Sequence, residues 1–216
     1  MIELASDEVV PDRPFTAPDW TRTDEVVLDR MWHRLRAHAR TYQGGEVGAR
    51  ASTDRAANDR TDKLNDSGGS VHTIVFPELR RALRSDDLFA VGFFGQARTG
   101  VDHTPIMVLE AELIADMWQT DGLVAYYNAF YPEAGWGNLV LFADAETERA
   151  WGDDRRHVDA VRRSADHYHS IRLHHARAAG GLMGTGPITI TRTRYLDYDG
   201  DRRWRAVRDR DMGTGR

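Results

Sequence analysis

Between Leu88 and Ala176 the chain alternates apolar, aromatic-rich runs with helical patterns, and the order of these blocks is its strongest constraint on the fold. Leu88 to Ala97 (LFAVGFFGQA) reads as a buried strand. Thr104-Pro105 suits a helix start, and Ile106, Leu109, Leu113 and Met117 then share one helical face, although Ile106 to Leu109 alone would also suit a strand. Leu123 to Tyr131 (LVAYYNAFY) and Asn138 to Ala143 (NLVLFA) read as a hairpin around the turn Pro132-Glu133-Ala134-Gly135. Asp144 caps a helix with Glu146 and Glu148 in its first turns; Gly152 breaks it, and Asp153 or Asp154 restarts it through Ala165. Tyr168 to Ala176 (YHSIRLHHA) is the next strand. Strand, helix, strand, strand, helix, strand is the ferredoxin-like order. The predicted class is therefore α+β, an antiparallel sheet with both helices on one face.

The flanks add to this core. Pro11, Pro14 and Pro18 favour an extended lead-in. Thr23 to Tyr42 reads as a helix capped by Thr23, with Leu28, Met31, Leu35, His38 and Tyr42 on one face. Residues 43–70 are polar and read as a long loop. Phe76-Pro77-Glu78-Leu79 reads as the start of a short helix. Ile188 to Tyr198 is a further strand, which Trp204 to Val207 can join. This divides the chain into an N-terminal helix and polar extension, 1–75, and a ferredoxin-like domain, 76–216. The strands are apolar on both sides, so the face away from the two helices needs a cover. A second copy of the sheet would supply it, hence an expected homodimer; the N-terminal helix is the alternative.

Composition excludes several function classes. A net charge of -5, with arginines interleaved among carboxylates as in Asp153-Asp154-Arg155-Arg156, is no nucleic-acid footprint. With no cysteine, disulfides, thiolate ligands, iron–sulfur clusters and cysteine nucleophiles are out. No apolar run approaches the ~18–20 residues of a membrane span, and the acidic Met1 to Glu8 lacks a signal-peptide core, so the cytoplasm is the default location. The glycine-rich run Gly180 to Gly186 opens no helix and is followed by no lysine, against a phosphate cradle. No Gly-x-Ser-x-Gly is present, against a hydrolase elbow.

Nine histidines are many for this length. On the strand from Tyr168, alternation puts His169, Ile171, Leu173 and His175 on one face and Tyr168, Ser170, Arg172 and His174 on the other. The second row is either solvent-facing or a pocket wall. His157, on the preceding helix, is a candidate haem ligand, since imidazole is neutral near pH 7 and binds iron well; an exposed or hydrogen-bonded helical histidine is the plain alternative. His167, His169, His174 and His175 make zinc a rival, without a tight ligand signature.

Several segments resemble the haem-containing aldoxime dehydratases, across roughly residues 88–176. They are Ala90-Val91-Gly92-Phe93-Phe94-Gly95-Gln96, Glu133-Ala134-Gly135-Trp136-Gly137-Asn138, Trp151 with His157-Val158-Asp159-Ala160-Val161, and Ile171-Arg172-Leu173-His174-His175. The resemblance implies haem b, His157 as its axial ligand and a distal histidine, His175 by motif, acting as general acid on a small substrate. Strand parity points instead to Arg172 and His174, with Ser170 beside them. That family is longer, with two ferredoxin-like halves. The same dimeric α/β-barrel superfamily includes cofactor-independent monooxygenases, in which Trp136, Tyr127, Asn128 and His174 would line an aromatic-substrate pocket. A ligand-binding protein without enzymatic activity is the third reading.

Overall fold

The computed structural model describes residues 1–11, 18–42, 60–65, 71–131 and 135–210. In chain order the elements are β1 (Ile2–Glu3), α1 (Pro18–Thr41), β2 (Arg60–Asn65), β3 (Val71–Phe76), α2 (Leu79–Arg84), β4 (Asp87–Ala97), α3 (Thr104–Met117), β5 (Leu123–Tyr131), β6 (Gly135–Phe142), α4 (Ala145–Gly152), α5 (Arg155–His167), β7 (Tyr168–Ala179), β8 (Ile188–Asp199) and β9 (Arg202–Asp209). The described strands form one sheet in the order β1-β9-β8-β7-β4-β6-β5-β3-β2. Its centre, β7-β4-β6-β5, is the ferredoxin-like antiparallel core, with α3 in the first crossover and α4–α5 in the second.

The edges grow by short connections. The β8–β9 hairpin extends β7, and β1 pairs in parallel with β9. On the far side β3 pairs with β5, and β2 with β3. Two expectations are corrected here. Part of the polar stretch 43–70 is a strand, Arg60–Asn65, whose backbone partners override its polar composition. Phe76 closes β3 rather than opening a helix, and α2 begins only at Leu79. The turn expected at residues 132–134 lies outside the described residues.

Caps follow local chemistry. The Asp144 carboxylate accepts from Thr147 N–H at 2.8 Å, and Asp154 accepts from the N–H groups of Arg156 and His157, so Asp154 is the residue that restarts the helix. The first helix begins five residues before the expected cap, with Pro18 in its first turn. Thr23 instead donates its hydroxyl back to the Asp19 carbonyl, 3.1 Å away, from inside the helix.

The cover for the second sheet face is α1. Val27, Leu28, Met31, Trp32, Leu35 and Ala39 are buried on it against Ile74, Phe94, Leu139 and Leu141. Each such aliphatic side chain contributes roughly 1.5–3 kcal/mol relative to exposure. Close approach is possible because Gly92 has no side chain: a Cβ there would stand 3.0 Å from the Leu28 methyl. The glycine-rich run anchors the helix, with Leu182 and Gly186 carbonyls accepting from Arg36 and the Gly186 carbonyl also from Trp32. The face that called for a second sheet is thus closed within one chain. No helix among the described residues is long and apolar enough to cross a membrane.

Candidate functional site

Alternate residues of the central strands face α3, α4 and α5, and between the two layers lies a cavity of about 590 Å³. Its floor can be read from strand register. One row runs His175, Val91, Val140, Tyr126 across β7, β4, β6 and β5; the next runs Leu173, Phe93, Asn138, Asn128. Leu113 and Met117 of α3, Trp151 of α4, and His157 and Val161 of α5 contribute the helical wall. A mostly apolar cavity with a few converging polar groups is the usual form of a small-molecule site.

Two hydrogen-bonded polar stations interrupt the apolar lining, which also includes Arg205 and the exposed arginines Arg162 and Arg194. At the first, His175 Nδ1 donates to Glu148 Oε1 at 2.6 Å, while its Nε2 is buried and has no partner. The carboxylate fixes the tautomer, leaving Nε2 with the lone pair. His157 also lines the cavity, edge-on to Trp151 with ring centroids 5.9 Å apart, and its Nδ1 is buried and unpartnered. Burial lowers the His157 pKa against the opposing pull of the Trp151 backbone and Asp154, which keeps the ring neutral.

At the second station, Glu110 of α3 accepts at Oε1 from the Tyr126 hydroxyl (2.6 Å) and from the Asn128 amide. Burial pushes the Glu110 pKa up, only partly offset by these two donors. Burial and the nearby Glu110 raise Tyr168 to about 12, so its phenol stays protonated.

The candidates named from sequence separate onto two faces. His175 and His157 meet at the cavity. Arg172, His174 and Ser170 face the other way, beneath α1, and are fully buried, neither a solvent-facing row nor a wall of this cavity. Arg172 forms a two-point pair with Asp24, His174 joins Asp24 and Thr193, and Ser170 donates to Gln96. Tyr168 departs from simple alternation. A register shift opposite Gln96 and Ala97 turns its ring to the cavity side, against Phe93. Trp136 lines the cavity and Asn128 holds Glu110, whereas Tyr127 faces α1 and hydrogen-bonds His72. The rival zinc group does not assemble: no cluster of three or more metal-ligating side chains occurs among the described residues.

Glu148 and Glu110 escaped the sequence reading. Glu148 reads as an acid favouring a helix N-terminus, and nothing local says that it reaches β7. Glu110 did leave a signal, a carboxylate among Ile106, Leu113 and Met117 on an otherwise apolar stripe.

No family model and no curated protein matches this chain. Solved structures that share part of its form include a Nitrosomonas europaea protein of unknown function, 14% identical with a TM-score of 0.38, the match covering 44% of this chain and 91% of that one. Another is a Fusobacterium nucleatum protein provisionally described as a monooxygenase, 8% identical with a TM-score of 0.38, over 67% of this chain and 52% of that one, so that this chain spans about half of its length.

Proposed function

We propose that this chain is a small-molecule enzyme in which His175, oriented by Glu148, removes a proton from a largely apolar substrate held between the sheet and α3–α5. The reading rests on one observation: a carboxylate-bound imidazole at the cavity has a second nitrogen with no protein partner. A base held by a third group is the arrangement that general-base catalysis needs, typically contributing 10²–10⁴-fold. The apolar surroundings strengthen charge interactions during the transfer. A substrate carbanion formed this way can react with molecular oxygen without a cofactor, converting a CH₂ group and O₂ to a carbonyl group and water. A cofactor-independent oxygenase is therefore the reaction class proposed.

The test is oxygen uptake by the purified protein over a panel of bicyclic phenols and ketones. The expected outcome is turnover by a protein with no Soret band, and about 10²–10⁴-fold less turnover in His175→Gln. Equal turnover by that variant would remove His175 from the chemistry.

A second reading has its own observation. The orphaned Nδ1 of His157, on a ring held neutral by burial, is a nitrogen that would suit a ligand to haem b iron. When bound, haem would supply a redox-active, Lewis-acidic iron. His157 would hold it and His175 would move a proton at Nε2, as aldoxime dehydration would require. A Soret band lost in His157→Ala supports this reading. Failure to take up added hemin ends it.

A further inference from the structure

Removing a proton at His175 leaves an electron pair to be stabilised, and the cavity holds a second polar station with no role in that step. Glu110 Oε1 already receives the Tyr126 hydroxyl and the Asn128 amide, which occupy its lone pairs. The other oxygen, Oε2, has no protein partner among the described residues, and the residue lines the cavity. This carboxyl stands over Tyr126, at the opposite end of the floor row from His175. Three strand spacings separate the row's ends, roughly 14 Å between backbones.

We propose that Glu110 is the substrate-binding acid of this site: its Oε2–H donates to a carbonyl oxygen of a neutral, conjugated substrate whose acidic C–H bond lies at the far end, at His175. The inference rests on the general-base reading above. In the step, the C–H bond breaks and its proton goes to His175 Nε2. The electron pair delocalises through the conjugated frame to the carbonyl oxygen, where the Glu110 hydrogen bond tightens as negative charge develops. Burial of the carboxyl supports the protonated form that this donation requires. The substrate class follows: a rigid, uncharged carbonyl compound about two fused rings long, with apolar flanks to match Val91, Val140 and Phe93. An ammonium ligand would instead demand an ionised Glu110.

The experiment has a binding arm and an exchange arm. In the first, quenching of tryptophan fluorescence gives the affinity of a fused bicyclic ketone, of its parent hydrocarbon and of an amine on the same skeleton. The wild type should prefer the ketone by about tenfold or more. Glu110→Leu should erase that preference, and Glu110→Gln, which keeps a donor, should retain most of it. In the second arm, NMR follows deuterium incorporation at the acidic carbon in D₂O. Exchange should fall about 10²–10³-fold in Glu110→Leu, the usual cost of losing one donor at a developing oxyanion. His175→Gln should slow exchange about 10²–10⁴-fold and leave the ketone preference intact. Equal wild-type affinity for ketone and hydrocarbon, tighter binding of the amine, or an unchanged preference in Glu110→Leu would each overturn the role of Glu110. Unaltered exchange in His175→Gln would overturn the general-base reading on which it rests.

Discussion

His174 and His175 are neighbours on one strand, yet the two faces of the sheet give them opposite circumstances. His174 points beneath α1 and is complete: Nδ1 accepts from the Thr193 hydroxyl at 2.9 Å, and Nε2 donates to Asp24 at 3.0 Å. His175 points toward α4 and is half complete, with Glu148 on one nitrogen and nothing on the other. On the α1 face Arg172, His174, Asp24 and Thr193 bond one another beneath a helix, and Arg172 Nη1 alone in that group is left without a partner. On the α3–α5 face the polar groups end at a cavity. A pocket wall is thus distinguished by whether its polar atoms face a cavity or a packed helix, rather than by how polar it is.

The largest expected effect is on the sealed face. Asp24 receives two hydrogen bonds from Arg172 and one from His174, all within fully buried side chains. Asp24→Ala leaves the Arg172 charge buried and unpaired, and should lower unfolding free energy by about 3–5 kcal/mol in urea titrations. A loss under about 1 kcal/mol would mean that α1 yields to let water reach Arg172, and that the face is not sealed.

The core order was legible because each of its strands is an apolar run bounded by turn residues, and Asp144 and Asp154 announce their helices by side-chain chemistry. The edges were not. Arg60–Asn65 is polar at almost every position, and its strand exists only because β3 offers a backbone ladder. At the site, strand parity correctly divided Arg172 and His174 from His175, but parity cannot say which face is covered. That depended on α1 folding over one side of the sheet, a contact between residues about 150 positions apart. Glu148 was unreadable for the same reason, since its partner is on another element.

The pH dependence of stability sharpens the comparison. Burial lowers the pKa of His174 more than Asp24 raises it, and burial likewise lowers that of His157. The unfolded chain therefore takes up protons first, near its ordinary histidine pKa of about 6.5. Stability is fully present above that value and is lost as pH falls below it toward the depressed folded values. Urea titrations at about pH 7.5 and about pH 5.5 should differ by on the order of 1–2 kcal/mol. His174→Gln should remove more of that difference than His157→Gln, because His174 is enclosed on all sides. A profile flat across this range would show that neither ring is held neutral.

The smallest expected change in stability, with a large change in function, is at Glu148. Glu148→Gln keeps an oxygen that can accept from His175 Nδ1, on a side chain about a fifth exposed (19%), so unfolding free energy should move by less than about 0.5 kcal/mol. Turnover should respond differently. An amide can rotate to present N–H, which favours the tautomer with its proton on the reactive nitrogen, and it no longer stabilises the imidazolium formed during proton transfer. The expected result is kcat reduced by about 10²-fold or more with KM little changed, since the carboxylate supports the base rather than the substrate. The matched variant on the sealed face, Asp24→Asn, should do the reverse, losing stability by disturbing a buried charge network. Equal destabilisation by the two would make His175 a second structural histidine, and the contrast between the faces would then reduce to one of burial.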